Sequence, residues 1–178
     1  MVFARAPVPG RVKTRLIPLL GKRGAAYLHV RMLAKTLRTA RTAGFDPVLL
    51  FPDRQGPGDL GARMHRAFAR VLKRHGSAIL IGSDCPALAA ADLRAAARAL
   101  ASGAGAVLSP AEDGGYALIG LRRSSRRLFS GVDWGSARVL AQTRRRLRQL
   151  GWGWQELRTL WDVDRPDDVA RLRRERLL

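Results

Sequence analysis

The chain has 178 residues, of which 47% are hydrophobic, and a formal net charge of +19. A chain of this length suits one α/β domain, residues 1–178, that buries roughly 70% of the surface its unfolded form exposes. Cys85 is the only cysteine, which excludes an internal disulfide and a cysteine-rich zinc site. Any metal is therefore expected on oxygen ligands.

Charge and hydropathy argue against two classes of partner, nucleic acids and membranes. The arginines are spread over several segments alongside alanine, and neither a nucleic-acid motif nor a platform of stacking aromatics accompanies them. We therefore favour solvated helix faces over nucleic-acid binding. The start of the chain lacks the long apolar stretch of a signal peptide or membrane helix. We expect a cytoplasmic protein with no membrane partner.

Short apolar runs alternate with longer amphipathic segments, which is typical of βαβ units around a mostly parallel sheet. Because such a sheet binds its ligand beyond the carboxyl ends of its strands, chemistry is expected in the loops that follow them. The predicted elements are, in chain order, strand Met1–Ala4, helix Gly24–Thr42, strand Pro47–Phe51, helix Leu60–Arg74, central strand Ala78–Gly82, helix Ala90–Ala101, strands Ala106–Ser109 and Tyr116–Leu121, and helices Ser136–Leu150 and Pro166–Leu177.

The first loop reads FARAPVPGRVKTRL and spans Phe3–Leu16. Gly10 lets the backbone approach a ligand, while Lys13 and Arg15 offer charge-assisted hydrogen bonds to phosphate oxygens. The loop is neither a Walker A loop nor a GxGxxG motif. A phosphate site and a merely basic surface loop are equally compatible with this composition.

The next polar segment, QGPGDLGARMHRAF, sets glycines before the helix that begins near Leu60. Asp59 suits a cap of that helix. Gln55, Asp59 and Arg63 are equally suited to contact a nucleobase or a phosphate at the helix N-terminus. None of the three histidines is paired with a nucleophile in the sequence, so we assign them no catalytic role.

Two acidic segments are candidates for a metal site. The central strand ends in Gly82-Ser83-Asp84, and Asp84 at that position favours a magnesium or manganese ligand over a turn residue. In the segment LWDVDRPDDVARL, a short apolar run ends in Asp162 and Asp164 before Pro166. Asp164 is either a second metal ligand or the cap of the final helix, and Asp167 and Asp168 suit its first turn.

The segment SPAEDGGYALIGL places Glu112 and Asp113 between two strands. A hairpin turn explains its Asp-Gly-Gly. The same turn, at the ligand edge of the sheet, would present Asp113 to a sugar or to an acceptor hydroxyl. Both interpretations hold together.

These segments together resemble bacterial GT-A-like transferases assigned to arsenosugar biosynthesis, within the nucleotide-diphospho-sugar transferase superfamily. The resemblance covers nearly the whole chain and rests on six motifs in the family's order. They are FARAPVPGRVKTRL, GDLGARM, IGSDCPAL, DGGYALIGL, LFSGVDWG and DVDRPDD.

The resemblance implies a three-layer Rossmann-like α/β fold with a mostly parallel sheet, the GT-A or nucleotide-diphospho-sugar transferase fold. It implies Mg²⁺ or Mn²⁺ on Asp84 and Asp164, where the family's DxD motif is reduced to Ser-Asp-Cys. Phosphates or the nucleotide would contact Arg5, Ala6, Pro7, Gly10, Lys13 and Arg15, together with Gln55, Asp59 and Arg63. The second substrate would contact Asp113, Gly114, Gly115, Tyr116 and Trp134.

The chain departs from the family in two places. The connection near Asp53 is shorter than the pattern requires, and the first strand is clipped. Either the nucleobase side of the pocket is open or a second subunit, as in a homodimer, completes the fold.

Three functions follow from this reading. In the preferred one, the metal and basic residues neutralise the diphosphate of a nucleoside diphosphate-sugar while a small-molecule acceptor attacks the anomeric carbon. Lys13, Asp84 and Asp113 would be catalytic, with Asp113 or Glu112 as the base. The second function is nucleotidyl transfer from a nucleoside triphosphate with release of pyrophosphate. The third is non-catalytic binding of nucleotides or nucleic acid.

Overall fold

The computed structural model describes residues 1–178 and centres on one six-stranded sheet. Five strands run parallel and β5 alone runs antiparallel, pairing with β3 on one side and β4 on the other. The spatial order is β2-β1-β3-β5-β4-β6. This confirms the predicted mostly parallel α/β sheet. The strands are β1 Val2–Phe3, β2 Leu49–Leu50, β3 Ala78–Gly82, β4 Ala106–Pro110, β5 Tyr116–Leu121 and β6 Trp154–Glu156.

Helices connect the strands and cover both faces of the sheet. They are α1 Ile17–Thr42, α2 Pro52–Gln55, α3 Leu60–Val71, α4 Ala90–Ala101, α5 Arg126–Phe129, α6 Val139–Gln149 and α7 Pro166–Arg174. A single 3-10 turn, Thr14–Leu16, precedes α1. None of the helices combines the length and the hydrophobicity that crossing a lipid bilayer requires.

The structure differs from the sequence-based prediction mainly in short elements. The sequence analysis missed β6, because its three residues include polar Gln155 and Glu156 and show no apolar run. It also missed α2 and α5, which have four residues each. Helix α1 begins seven residues earlier than predicted, with a kink at Gly21, where φ is 69°. Pro18 at its first turn suits this start.

Two apolar layers flank the sheet. On one face Phe68 of α3 and Leu147 of α6 pack against Ile119 and Leu121. On the other face Leu93, Ala96 and Leu100 of α4 pack with Leu118. Each fully buried large apolar side chain contributes about 1.5–3 kcal/mol of transfer free energy. The helix-sheet-helix arrangement confirms the predicted three layers.

One segment, Leu160–Asp164, crosses the carboxyl edge of the sheet, and we call it the edge segment. At its start Leu160 donates its amide to the Pro110 carbonyl (2.8 Å) at the end of β4. Near its end Val163 donates its amide to the Asp84 carbonyl (2.9 Å) just beyond β3. The edge segment therefore holds two predicted chemistry-bearing loops at fixed separation.

An ion pair anchors the chain just before the edge segment. The Arg158 guanidinium donates two hydrogen bonds, both 2.7 Å, to the Asp92 carboxylate in the first turn of α4, and a third (2.8 Å) to the Ala87 carbonyl. Burial raises the pKa of Asp92, but the hydrogen bonds from Arg158 and from the Ala89 amide lower it by more, so the net shift is downward.

We expect Arg158→Ala to lower the free energy of unfolding by about 2 kcal/mol, because it leaves the buried Asp92 carboxylate without its charged donors. Urea denaturation at neutral pH measures this. The matched control is Arg144→Ala, which removes an equally bidentate pair with the more exposed Glu156. The control variant should lower the free energy of unfolding by less than about 1 kcal/mol. Equal losses in the two variants would contradict the structural role of Arg158.

Candidate functional site

The first loop folds back under the carboxyl edge of the sheet through two residues with positive φ. Gly10 has φ 80°, and Lys13 has φ 49° and ψ 43°, in the left-handed region that non-glycine residues adopt infrequently. The loop ends in the 3-10 turn, and α1 follows directly. The left-handed Lys13 is strained backbone at a position whose side chain makes specific contacts.

Lys13 connects three segments of the chain. Its side chain is 5% exposed, and its Nζ donates to the Val163 carbonyl (2.5 Å) and lies 3.2 Å from Asp84 Oδ1. The Asp84 carboxylate is 46% exposed, so one side contacts lysine and the other faces solvent. Sequence analysis predicted Lys13 on phosphate, whereas the structure places it first of all on Asp84 and the edge segment.

His29 of α1 lies beneath the same carboxylate. Its Nε2 is 3.0 Å from the Arg5 carbonyl, which can only accept, so Nε2 carries a proton. Its buried Nδ1 has no hydrogen-bond partner and lies 3.6 Å from Asp84 Oδ1. Sequence analysis gave His29 no role, because nothing in a single helix shows which histidine meets a strand end. The one available sign was its position on the buried face of α1.

The surroundings of Asp84 keep it ionised. Burial raises its pKa, but the neighbouring His29 and Lys13 lower it by more, and the pKa falls to about 2. Ser83 adds a long contact from its hydroxyl at 3.4 Å. Asp84 is therefore an anion at any physiological pH.

Asp164 lies across a small cavity from Asp84 and forms an ion pair with Arg15. Its carboxylate does not cap α7. That role belongs to Asp168, whose Oδ2 accepts from the amides of Asp164 (2.9 Å) and Arg165 (2.6 Å). Of the two interpretations of Asp164, the structure thus removes the helix cap. The lining of this cavity, which we call the basic cavity, is Arg5, Val12, Lys13, Thr14, Arg15, His29, Asp84 and Asp164.

Asp162 is a functional candidate that the sequence analysis passed over. Burial raises its pKa most, and the charges of Asp84, Asp113 and Asp164 raise it further against the opposing charge of Lys13, to about 7. No salt bridge joins Asp162 to a basic side chain. Four carboxylates therefore influence one another here. Asp162 was overlooked because, in the sequence, it is only the end of an apolar run.

A divalent metal fits this donor set. No three His, Cys, Asp or Glu side chains are gathered as a complete protein cage. Asp84 and Asp164 nevertheless line one cavity and offer hard oxygen donors, and Mg²⁺ commonly uses one or two carboxylates with water and substrate phosphates. Burial is the main cause of the raised pKa of Asp162, and the neighbouring carboxylates that add to it are negative charges that a cation would offset. The residues present thus suit Mg²⁺ or Mn²⁺.

A second cavity of about 260 Å³ opens beside the carboxylates, and we call it the central cleft. The predicted substrate residues Asp113, Gly115, Tyr116 and Trp134 line it together with Asp162. The structure thus brings these predicted residues to one place, next to the metal candidates. The rest of the lining is Phe3, Leu60, Met64, Leu80, Gly82, Ala117, Ile119, Gly135, Ser136 and Val139.

Two glycines allow neighbouring segments to pack closely around the cleft. A Cβ on Gly61 would lie 2.4 Å from the Phe129 carbonyl oxygen and 2.8 Å from Nε1 of Trp134, so α3 packs directly on the indole. A Cβ on Gly114 would lie 2.3 Å from the Ala137 carbonyl oxygen. Gly114 does not line the cleft. It lets the β4–β5 hairpin pack against the turn before α6.

A profile of a bacterial protein family matches residues 23–136 of the chain; the family is described as "Uncharacterized protein conserved in bacteria (DUF2064)". The chain belongs to this family. No curated protein matches it. The family assignment supports the superfamily that the sequence resemblance indicated, and leaves the arsenosugar role a prediction.

Several solved structures share the fold of this chain. A "putative nucleotide-diphospho-sugar transferase" from Desulfovibrio desulfuricans G20 superposes with a TM-score of 0.85 at 28% identity, over 92% of this chain and 81% of that one. Rv0371c from Mycobacterium tuberculosis H37Rv gives 0.55 at 21% identity, over 96% of each chain. CMP:2-keto-3-deoxy-manno-octonic acid synthetase complexed with CTP gives 0.52 at 12% identity, over 99% and 97%. The last two show a shared fold alone.

The structure does not bring every predicted residue to the two cavities. Gln55 is buried, donates to the Leu50 carbonyl (2.7 Å) and accepts from Arg63 (3.2 Å). Asp59 caps α3, accepting from the Ala62 amide at 2.7 Å. None of these three lines either cavity.

The predicted phosphate residues of the first loop divide in a similar way. Ala6 and Pro7 lie exposed on the outside of the loop, and Gly10 shapes its turn. Arg5, Lys13 and Arg15 line the basic cavity.

We expect Lys13→Met to lower the free energy of unfolding by about 2 kcal/mol, because the Val163 carbonyl loses its donor and Asp84 loses its charged neighbour. The matched control is Arg15→Met, which removes an exposed ion pair and should cost less than about 1 kcal/mol. Urea denaturation of both variants measures the difference. A smaller loss in Lys13→Met than in Arg15→Met would contradict the bridging role of Lys13.

We expect Asp162→Asn to gain stability over the parent protein as the pH rises from about 4 to about 7. A carboxyl whose pKa is raised from 3.8 to about 7 binds its proton more tightly when folded, so its contribution is present at low pH and lost through this window. Urea denaturation at several pH values, with a chelator present, measures the difference between parent and variant. Asp46→Asn, on an exposed loop, is the control. A difference that stays constant with pH would contradict the assignment.

Proposed function

We propose that this protein is a nucleotide-dependent transferase that moves a sugar from a nucleoside diphosphate donor to a small acceptor. One observation carries the proposal: the basic cavity and the central cleft lie side by side, with Asp84 lining the first and Asp162 the second. The likeness to the Desulfovibrio desulfuricans protein, at 28% identity over 92% of the chain, supports this class of chemistry.

The basic cavity would hold the diphosphate of the donor. Arg5 and Arg15 keep their guanidinium groups exposed there, and Lys13 adds a buried positive charge behind them. Guanidinium groups bind phosphate oxygens through charge-assisted, often bidentate, hydrogen bonds. The proposal assigns no phosphate contact to Gln55, Asp59 or Arg63, whose polar groups bond to one another and to nearby backbone.

Asp84 and Asp164 would hold Mg²⁺ or Mn²⁺, with Asp164 exchanging its contact with Arg15 for the metal and freeing Arg15 for phosphate. When bound, the metal supplies positive charge against the diphosphate that leaves. His29 and Lys13 together lower the pKa of Asp84, and the contact with Lys13 also fixes the carboxylate in position before substrate arrives. Such preorganisation favours charge that develops in the transition state.

Asp113 is the better candidate for a base on the acceptor. It lines the central cleft, and its Oδ1 is held by the Gly115 amide at 2.8 Å. Glu112, the alternative, instead pairs with Arg171 of α7 at 2.8 Å. In an inverting transfer the acceptor oxygen bonds to the anomeric carbon, the bond from that carbon to the phosphate oxygen breaks, and the acceptor proton passes to Asp113. A retaining course would need no such base.

Nucleotidyl transfer is the second candidate, because the cations of the basic cavity are also compatible with a triphosphate. Arg5, Lys13 and Arg15 together suit a triphosphate as well as a diphosphate. The acceptor would then attack the α-phosphorus and pyrophosphate would leave. The two reactions differ in product, since one releases a nucleoside diphosphate and the other pyrophosphate. The arsenosugar role stays a prediction of the family resemblance.

We expect one nucleotide, tested with Mn²⁺ against a panel of diphosphates, diphospho-sugars and triphosphates, to raise the melting temperature. Ligand at about 100 times its dissociation constant adds about 2.7 kcal/mol, which corresponds to roughly 5–10 °C for a chain of this size. Asp84→Asn should abolish the metal-dependent part of the shift, whereas Asp46→Asn should keep it. Chromatography of the products then separates the two transfers. No response to any nucleotide would overturn the proposal.

A further inference from the structure

The two cavities differ in the charged groups that line them: the basic cavity combines basic side chains with the carboxylates of Asp84 and Asp164, whereas the central cleft has no basic side chain. Arg5, Lys13, Arg15 and His29 all line the basic cavity. No Lys, Arg or His side chain lines the central cleft, although the chain has 33 lysines and arginines. The acidic side chains of the central cleft are those of Asp113 and Asp162. The absence of basic side chains from this cleft, in so basic a protein, indicates that the cleft receives a group that is not anionic.

Apolar side chains make up the body of the central cleft. Its floor is the sheet face of Phe3, Leu80 and Ile119, and Met64 of α3, Trp134 and Val139 of α6 complete its apolar lining. A group with several hydroxyls would leave most of them without hydrogen-bond partners against such walls, which weakens its binding. An apolar ring has no hydroxyl groups to leave unpaired, and it gains from contact with the indole of Trp134.

The size of the cleft also suits a ring. Its volume is about 260 Å³, and an apolar cavity of about 150 Å³ already binds benzene. The additional space accommodates a short substituent and a hydroxyl. The polar groups lie at Asp113, Asp162 and Ser136, so a hydroxyl on the ring has acceptors and a donor there.

We propose that the central cleft binds the acceptor as a compact ring alcohol, uncharged or carrying an amine, and excludes polyols and anions. The proposal rests on the proposed function, because it names the second substrate of the same site. Trp134 is the residue that sets the preference for a ring, through contact with its face. Asp113 and Asp162 set the preference against negative charge.

Four probes test this proposal, and they differ in charge or in having a ring or a polyol structure. They are tyrosol (neutral ring), tyramine (cationic ring), 4-hydroxyphenylacetate (anionic ring) and glucose (neutral polyol). Binding is measured by calorimetry with Mn²⁺ and a saturating nucleoside diphosphate present. We expect tyrosol and tyramine to bind at least tenfold more tightly than the other two. Equal or tighter binding of 4-hydroxyphenylacetate or glucose would overturn the proposal.

Variants assign the preference to its residues. Trp134→Ala should weaken tyrosol binding about tenfold or more, and Trp134→Phe should restore most of it. Trp154→Ala, on the edge strand β6, is the matched control and should leave the affinity unchanged. The double variant Asp113→Asn/Asp162→Asn should bind 4-hydroxyphenylacetate with an affinity closer to that of tyrosol than the parent protein does. The nucleotide-dependent rise in melting temperature verifies the fold of each Trp134 variant, and an unchanged tyrosol affinity in Trp134→Ala would overturn the proposal.

The same experiments separate this proposal from the proposed function. If tyrosol competes with the nucleotide instead of binding beside it, the cleft belongs to the nucleoside and the acceptor proposal falls while nucleotide binding stands. If ring compounds bind selectively but no nucleotide binds, the proposed transferase function falls while the selectivity of the cleft stands.

Discussion

The geometry of the site depends on one buried ammonium group. Lys13 Nζ contacts Asp84 Oδ1 at 3.2 Å and the Val163 carbonyl at 2.5 Å, and so joins the first loop, the end of β3 and the edge segment. These three segments are far apart in sequence. The Val163 amide donates in turn to the Asp84 carbonyl. Both the amide and the carbonyl of Val163 are therefore held by hydrogen bonds. Lys13 adopts a left-handed backbone to reach this place, and such strain persists only where several contacts hold it.

The same cluster shifts two nearby carboxyl groups in opposite directions. Asp84 has Lys13 and His29 beside it, and its pKa falls to about 2 in spite of burial. Asp162 has no basic partner, and burial with three neighbouring carboxylates raises its pKa to about 7. One acid is thus a fixed anion, while the other exchanges its proton near neutral pH. Environments that separate the pKa values of adjacent acids are common at functional sites, since each acid then performs a different task.

The sequence predicted the sheet well because its strands and helices carry long, regular apolar patterns. Strands β3 and β5 and helix α4 have the predicted bounds. The site was predicted only in part, because contacts between distant segments leave no local sign. Nothing in the sequence distinguishes His29 from other residues on the buried face of its helix. Gln55 is a polar residue that the sequence favours as a ligand contact, although it is buried and donates to the Leu50 carbonyl. Which polar residue faces a cavity depends on packing, and packing is not a property of sequence spacing.

The single aspartate after β3 has a structural explanation. In the reduced motif Ser83-Asp84-Cys85, the side chain of Cys85 is buried with Leu88 and Leu160, and burial raises the pKa of its thiol to about 12. A carboxylate there would lose most of its hydration. The edge segment instead supplies acids from the other side of Asp84, where Asp164 reaches solvent and the basic cavity. The chain therefore keeps two hard-oxygen donors by taking them from two segments that Lys13 holds together.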